Sequence, residues 1–120
     1  MKKLLMVDDS KTARMMAKHW IAAQFPEIKV FEAQNGEEAL AWAEQETEPF
    51  LAVLDYNMPG MAGLELAEKL QNLFPGLKMA LVTANIQDTI RERAKSMGVF
   101  FVPKPLNPPK IKMLIAELER

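Results

Sequence analysis

Five short runs of apolar, strand-forming residues alternate along the chain with segments whose apolar positions recur at helical spacing. The runs are KLLMV (3–7), IKVFEA (28–33), FLAVLD (50–55), LKMALVT (77–83) and VFFV (99–102). Runs one, three, four and five are nearly continuous in apolar residues, the pattern of strands covered on both faces. The second carries Lys29 and Glu32 and reads as an edge strand. Between the runs, stripes at i, i+3, i+4 spacing predict helices. They comprise Ala13, Met16, Ala17, Trp20, Ile21 and Gln24; a weaker set of Ala39, Leu40 and Ala43; Leu66, Ala67, Leu70, Leu73 and Phe74; Ile86, Ile90, Ala94 and Met97; and Ile111, Leu114, Ile115 and Leu118. Asn35-Gly36 precedes the second helix, Pro75-Gly76 ends the third, and Gly98 stands where the C-terminal cap of the fourth belongs. Trp42 falls off its helix's stripe and is expected at the surface, as is His19, the only histidine.

This alternation predicts an α/β fold in which a βα unit repeats five times: a five-stranded parallel sheet, doubly wound and flavodoxin-like, with helices on both faces. No linker, repeat or low-complexity stretch interrupts it, so a single domain over residues 1–120 is expected. In such sheets ligands bind beyond the carboxyl ends of the strands, at the topological switch point. The residues that end each run therefore matter. Run one ends in Asp8-Asp9, run three in Asp55, run four in Thr83, and run five leads into Lys104. With strand order 2-1-3-4-5 these four ends are neighbours on one rim.

Charge and composition narrow the chemistry. With 15 basic and 16 acidic side chains and no basic block, the chain offers no footprint for nucleic acid or an anionic membrane. It has no cysteine, which excludes disulfides and thiolate chemistry and fits a reducing, cytoplasmic setting. The first apolar run is too short for a signal-peptide core or a membrane span. Three carboxylates less one ammonium leave the rim with two negative charges, which one divalent cation would balance. Hard oxygen ligands without nearby His or Cys favour Mg²⁺. Asp8-Asp9 alone would be read as a turn or cap, and Lys104 alone as a solvated lysine; their convergence with Asp55 and Thr83 turns the reading to a metal site. An aspartate beside Mg²⁺ can attack phosphorus, with a lysine and a threonine hydroxyl to meet the phosphoryl oxygens.

Asp8-Asp9, DYNMPGMAGLEL (55–66), Thr83-Ala84 and Lys104-Pro105, in this order and at these strand ends, resemble the receiver domains of two-component response regulators, most of all the stand-alone chemotaxis CheY type. The resemblance covers essentially the whole chain. It implies that Asp55 accepts a phosphoryl group from a histidine kinase or histidine phosphotransfer protein. Asp9, Asp55 and the backbone carbonyl of Asn57 would ligate Mg²⁺, with Asp8 acting through water. Thr83 and the Ala84 amide would meet the phosphoryl group, Lys104 would pair with it, and Lys104–Pro105 would be cis. Thr83 and Phe101 would form the switch, although the family often has Tyr where Phe101 stands, and Asn57 and Asn85 lie where phosphate lifetime is tuned.

On this reading the chain is not a turnover enzyme. Its output would run through helix four (86–97), strand five (99–102) and helix five (108–119) to a downstream protein, as a monomer or a phosphorylation-dependent dimer. Met15 and Met61 are expected to flank the acidic rim where a phosphodonor docks, and Thr83 is a candidate cap for the fourth helix. The alternatives are a receiver excised from a longer regulator with an output domain, and a small Mg²⁺-dependent phosphohydrolase with an aspartate nucleophile. The second typically places its acidic pair and nucleophile together on strand one and needs a substrate lid, for which the chain has no evident segment.

Overall fold

The computed structural model describes residues 2–120. Its elements alternate as β1 (Lys2–Val7), α1 (Lys11–Gln24), β2 (Ile28–Ala33), α2 (Gly36–Glu44), β3 (Leu51–Asp55), α3 (Gly63–Leu73), β4 (Lys78–Thr83), α4 (Asp88–Ser96), β5 (Phe100–Pro103) and α5 (Pro108–Leu118). The sheet is wholly parallel, in the order β2-β1-β3-β4-β5. This is the expected fold.

Side-chain alternation along each strand divides the core into two layers. Leu4, Met6, Val53, Val82 and Val102 point to one face and pack with Ala17 and Ile21 of α1 and Ile111, Leu114, Ile115 and Leu118 of α5. Leu5, Val7, Ala52, Leu54 and Leu81 point to the other, against Ala39, Ala43, Leu66, Ala67, Leu70, Ile90 and Ala94 of α2, α3 and α4. Burial on both faces is why the central runs carry no polar alternation. At about 25 cal/mol per Å², two apolar layers of this kind supply the main drive to fold.

Local signals set the helix ends. Ser10, Asn35 and Asn107 cap α1, α2 and α5, each accepting a backbone N–H three residues on at 2.8–3.2 Å. Gly98, at φ 73°, ends α4 in a conformation that costs other residues strain. Gly63 opens α3 so close to β3 that an added Cβ would meet the Asp55 carbonyl oxygen and lie 2.9 Å from Tyr56 Cα.

Several sequence expectations are corrected. Trp42 is half-buried: its ring lies 5.1 Å from Phe31 and 4.8 Å from Phe50, in a chain of rings that continues to Phe74 at 5.2 Å. The apolar arc of α2 is wider than its alanine stripe because it also covers β2. Met16 is exposed because α1 shares its face of the sheet with α5 and buries only a narrow strip. Leu73, in the last turn of α3, is exposed, as is Ile86, which precedes an α4 that begins only at Asp88. β5 is the second edge strand, and its Phe100 and Phe101 are half-buried. His19 is exposed as expected.

Candidate functional site

Because strands β1, β3, β4 and β5 are neighbours, their carboxyl ends bring Asp8-Asp9, Asp55, Thr83 and Lys104 to one rim. Asp8 and Asp55 are 2% and 3% exposed, an unusual depth for carboxylates, whereas Asp9 faces solvent. One oxygen from each of the three lies within 4.8 Å of the others. Lys104 Nζ stands 3.1 Å from Asp55 Oδ1 and 3.7 Å from Asp8 Oδ2. Asp8 Oδ1 accepts the Ser10 N–H at 2.9 Å, so the turn into α1 holds it. The Asp8 carbonyl accepts from Arg14 Nη1 at 2.6 Å.

Asp55 is the anomaly. Its Oδ1 is buried and receives no hydrogen bond among the described residues, because the Lys104 ammonium is near but poorly aligned. Burial and then the Asp8 charge push the Asp55 carboxyl above its usual value; Lys104 and the Asn57 backbone oppose them without cancelling. For Lys104, burial works against the charged form, but the adjacent Asp55 carboxylate and the Asp8 and Asp9 charges outweigh it and hold the pKa up. The rim is therefore an under-neutralised set of hard oxygen donors, and an orphaned buried carboxylate oxygen is suited to ligate Mg²⁺. The donor set fits the metal.

The remaining predicted residues are distributed around this centre. Thr83 is wholly buried and its Oγ1 accepts the Asn85 N–H at 2.9 Å. It therefore closes a turn rather than capping α4, whose N-cap is Gln87 without a side-chain bond. Asn57 and Ala84 are exposed in the loops that follow β3 and β4. Phe101 lies on edge strand β5, with the Arg91 guanidinium 5.0 Å from its ring centre. The Lys104–Pro105 bond is cis. Met15 is exposed, but Met61 is half-buried against α2, where a Cβ at Gly36 would lie 2.7 Å from its sulfur. Sequence reasoning passed over Arg14, which reaches the Asp8 carbonyl from α1; the one available signal was a cation one helical turn after the Ser10 cap.

A doubly wound sheet with an acid-lined rim, a buried threonine and a cis Lys–Pro bond defines the receiver class. The chain belongs to the response regulator receiver domain family, whose model matches residues 4–116. Among similar proteins, the chemotaxis protein CheY of Thermotoga maritima is 31% identical over 92% of this chain and 91% of its own. The cyclic di-GMP phosphodiesterase response regulator RpfG of Xanthomonas campestris is 36% identical over 96% of this chain. The chain spans 31%, 46% and 44% of the lengths of RpfG and two further regulators. In structure it resembles response regulator TrrA of Thermotoga maritima, solved with Mg²⁺ and BeF, at TM-score 0.81 and 31% identity, covering 98% and 99% of the two chains. Members of the family are generally phosphoacceptor regulators rather than turnover enzymes. No helix among the described residues is long and apolar enough to cross a membrane.

Proposed function

We propose that this chain is a phosphorylation-controlled binding module in which Asp55 takes a phosphoryl group from a phosphohistidine of a kinase or phosphotransfer protein. The observation that carries the reading is the Asp55 carboxylate, buried with an unbonded oxygen beside Lys104. As a structural element it is costly; as a nucleophile with its desolvation already in place it is well suited to in-line attack. In the transfer, an Asp55 oxygen bonds to phosphorus while the bond from phosphorus to the donor imidazole nitrogen breaks. The electron pair stays on that nitrogen, which takes up a proton.

Lys104, already within ion-pair distance of Asp55, would follow the phosphoryl oxygens and balance their charge. Thr83 would exchange its acceptor role toward Asn85 for donation to the phosphoryl group, joined by the Ala84 N–H. Asp9, Asp55 and the Asn57 carbonyl would hold Mg²⁺, with Asp8 acting through water. Bound there, the ion would screen the carboxylates and the incoming phosphate from each other. Movement of Thr83 would let Phe101 turn inward from beneath Arg91, changing the face built by α4, β5 and α5 that a downstream protein reads. The residues 1–120 act as one receiver unit in this account. The greater length of RpfG and the two further regulators supports a second setting, in which the same unit precedes an output domain.

Amide NMR spectra with Mg²⁺ and beryllofluoride, an acyl-phosphate mimic, test the reading. Saturable shifts at Thr83, Ala84 and Phe101 in wild type, absent in Asp55→Ala, are expected. Spectra indifferent to beryllofluoride, or shifts that survive in the variant, would refute it. Steady turnover of simple phosphate esters would instead favour the phosphohydrolase.

A further inference from the structure

Two of the three rim carboxylates are held by their own side-chain surroundings: Asp8 by Ser10 and Lys104, Asp55 by burial and Lys104. Asp9 is different. Its carboxylate is exposed and takes part in no hydrogen bond or ion pair among the described residues. Its position is set by the main chain that carries it, and the Asp8 backbone leading into Asp9 is fixed at two points, one on each of its flanking peptide groups. The Asp8 N–H donates to the Ala33 carbonyl at 3.1 Å, and the Asp8 carbonyl accepts from Arg14 Nη1 at 2.6 Å.

Arg14 is itself braced. Its Nε donates to Glu32 Oε1 at 3.0 Å, Lys18 Nζ lies 3.7 Å from Glu32 Oε2, and the Arg14 side chain is only 12% exposed. Glu32 projects from β2, the strand paired with β1 in the register Met6↔Glu32. The planar guanidinium thus spans a carbonyl on one side and a carboxylate on the other, tying α1, the end of β1 and β2 together. Lysine has no rigid fork to make both bonds at once.

On the reading of the rim as a Mg²⁺ site, on which this rests, we propose that Arg14 is a positioning residue for the metal: by clamping the Asp8 carbonyl it places the Asp9 carboxylate. Electrostatics alone argues for the opposite effect, since a cation beside a cation site repels the ion. Removing Arg14 therefore has two predictions of opposite sign. Loss of a clamp weakens metal binding; loss of a repelling charge tightens it.

Mn²⁺, read by the EPR signal of the free ion, serves as the probe, with Mg²⁺ competing. Wild type should bind and Asp55→Asn should bind far less; failure there would overturn the reading of the rim itself, separately from the role of Arg14. With that in place, Arg14→Met should weaken Mn²⁺ binding about tenfold, the low end of what outer-shell partners of metal ligands contribute. Arg14→Lys, which keeps the charge but only one of the two bonds, should fall between. In an Asp9→Asn background, Arg14→Met should cost no further affinity. Unchanged or tighter binding in Arg14→Met overturns the proposal, as does the same fold-loss with and without Asp9. Should Arg14→Met not fold, Arg14→Lys decides: weakened binding supports the clamp, and wild-type affinity overturns it.

Discussion

Replacing Asp55 by Asn should stabilise the metal-free protein, although Asp55 is the residue on which the proposed function turns. The carboxylate is 3% exposed, its Oδ1 lacks a hydrogen bond, and the buried Asp8 shares its pocket. An unsatisfied buried polar group costs about 1–3 kcal/mol, more when charged. Against the gain stands the loss of the Lys104 ion pair, partly retained because Asp8 remains 3.7 Å from the ammonium. The net expectation is about 1–2 kcal/mol in favour of the variant, or about 4–8 °C in Tm for a chain of this size. The pH dependence has a definite sign. The folded-state pKa of Asp55 is raised above its unfolded value, so the cost is fully present above the folded pKa, shrinks as pH falls from there toward the unfolded pKa, and is gone below it. The gap between variant and wild type should be widest at neutral pH and close on acidification. With Mg²⁺ the order should reverse, because a concentration of a hundred times the dissociation constant adds about 2.7 kcal/mol to wild type and little to the variant. Thermal melts in EDTA and in Mg²⁺ across the acid-to-neutral range provide the assay. A variant less stable than wild type in EDTA at neutral pH, or a gap indifferent to pH, would refute the reasoning.

Other substitutions probe different parts of the account. Lys104→Met should lower metal-free stability by about 1–3 kcal/mol, since it leaves two buried carboxylates without their cation, and Mg²⁺ should recover much of the loss in chemical denaturation. Trp42→Ala should cost about 3 kcal/mol by urea unfolding, because its ring bridges Phe31 and Phe50; a loss below about half that would mean the ring is peripheral. Gly63→Ala should cost more than about 2 kcal/mol by the same assay, since the added methyl meets backbone at Asp55 and Tyr56 rather than a yielding side chain.

Much of this molecule was legible in its sequence for identifiable reasons. Continuous apolar runs and helical stripes gave the βα repeat because the central strands are covered on both faces, and that topology alone put Asp8, Asp9, Asp55, Thr83 and Lys104 on one rim. What periodicity missed depends on contacts between elements. Trp42 is half-covered by Phe31 from β2 and Phe50 before β3, neighbours no single-helix stripe can see. Met16 sits on a correct stripe but is uncovered, because the width of the α1 contact is set by α5. Arg14 was passed over for a similar reason: its partners are a backbone carbonyl and Glu32, which lies 18 residues away on β2. Periodicity reports which residues face inward; it does not report what they meet.

The most direct test of the central claim is intact-mass analysis after incubation with acetyl phosphate and Mg²⁺, for wild type and Asp55→Ala. The account predicts a single added phosphoryl group on wild type, dependent on Mg²⁺, mapped to Asp55 and missing from the variant. A phosphoryl adduct that persists in Asp55→Ala, or wild type that stays unlabelled with Mg²⁺ present, would contradict it.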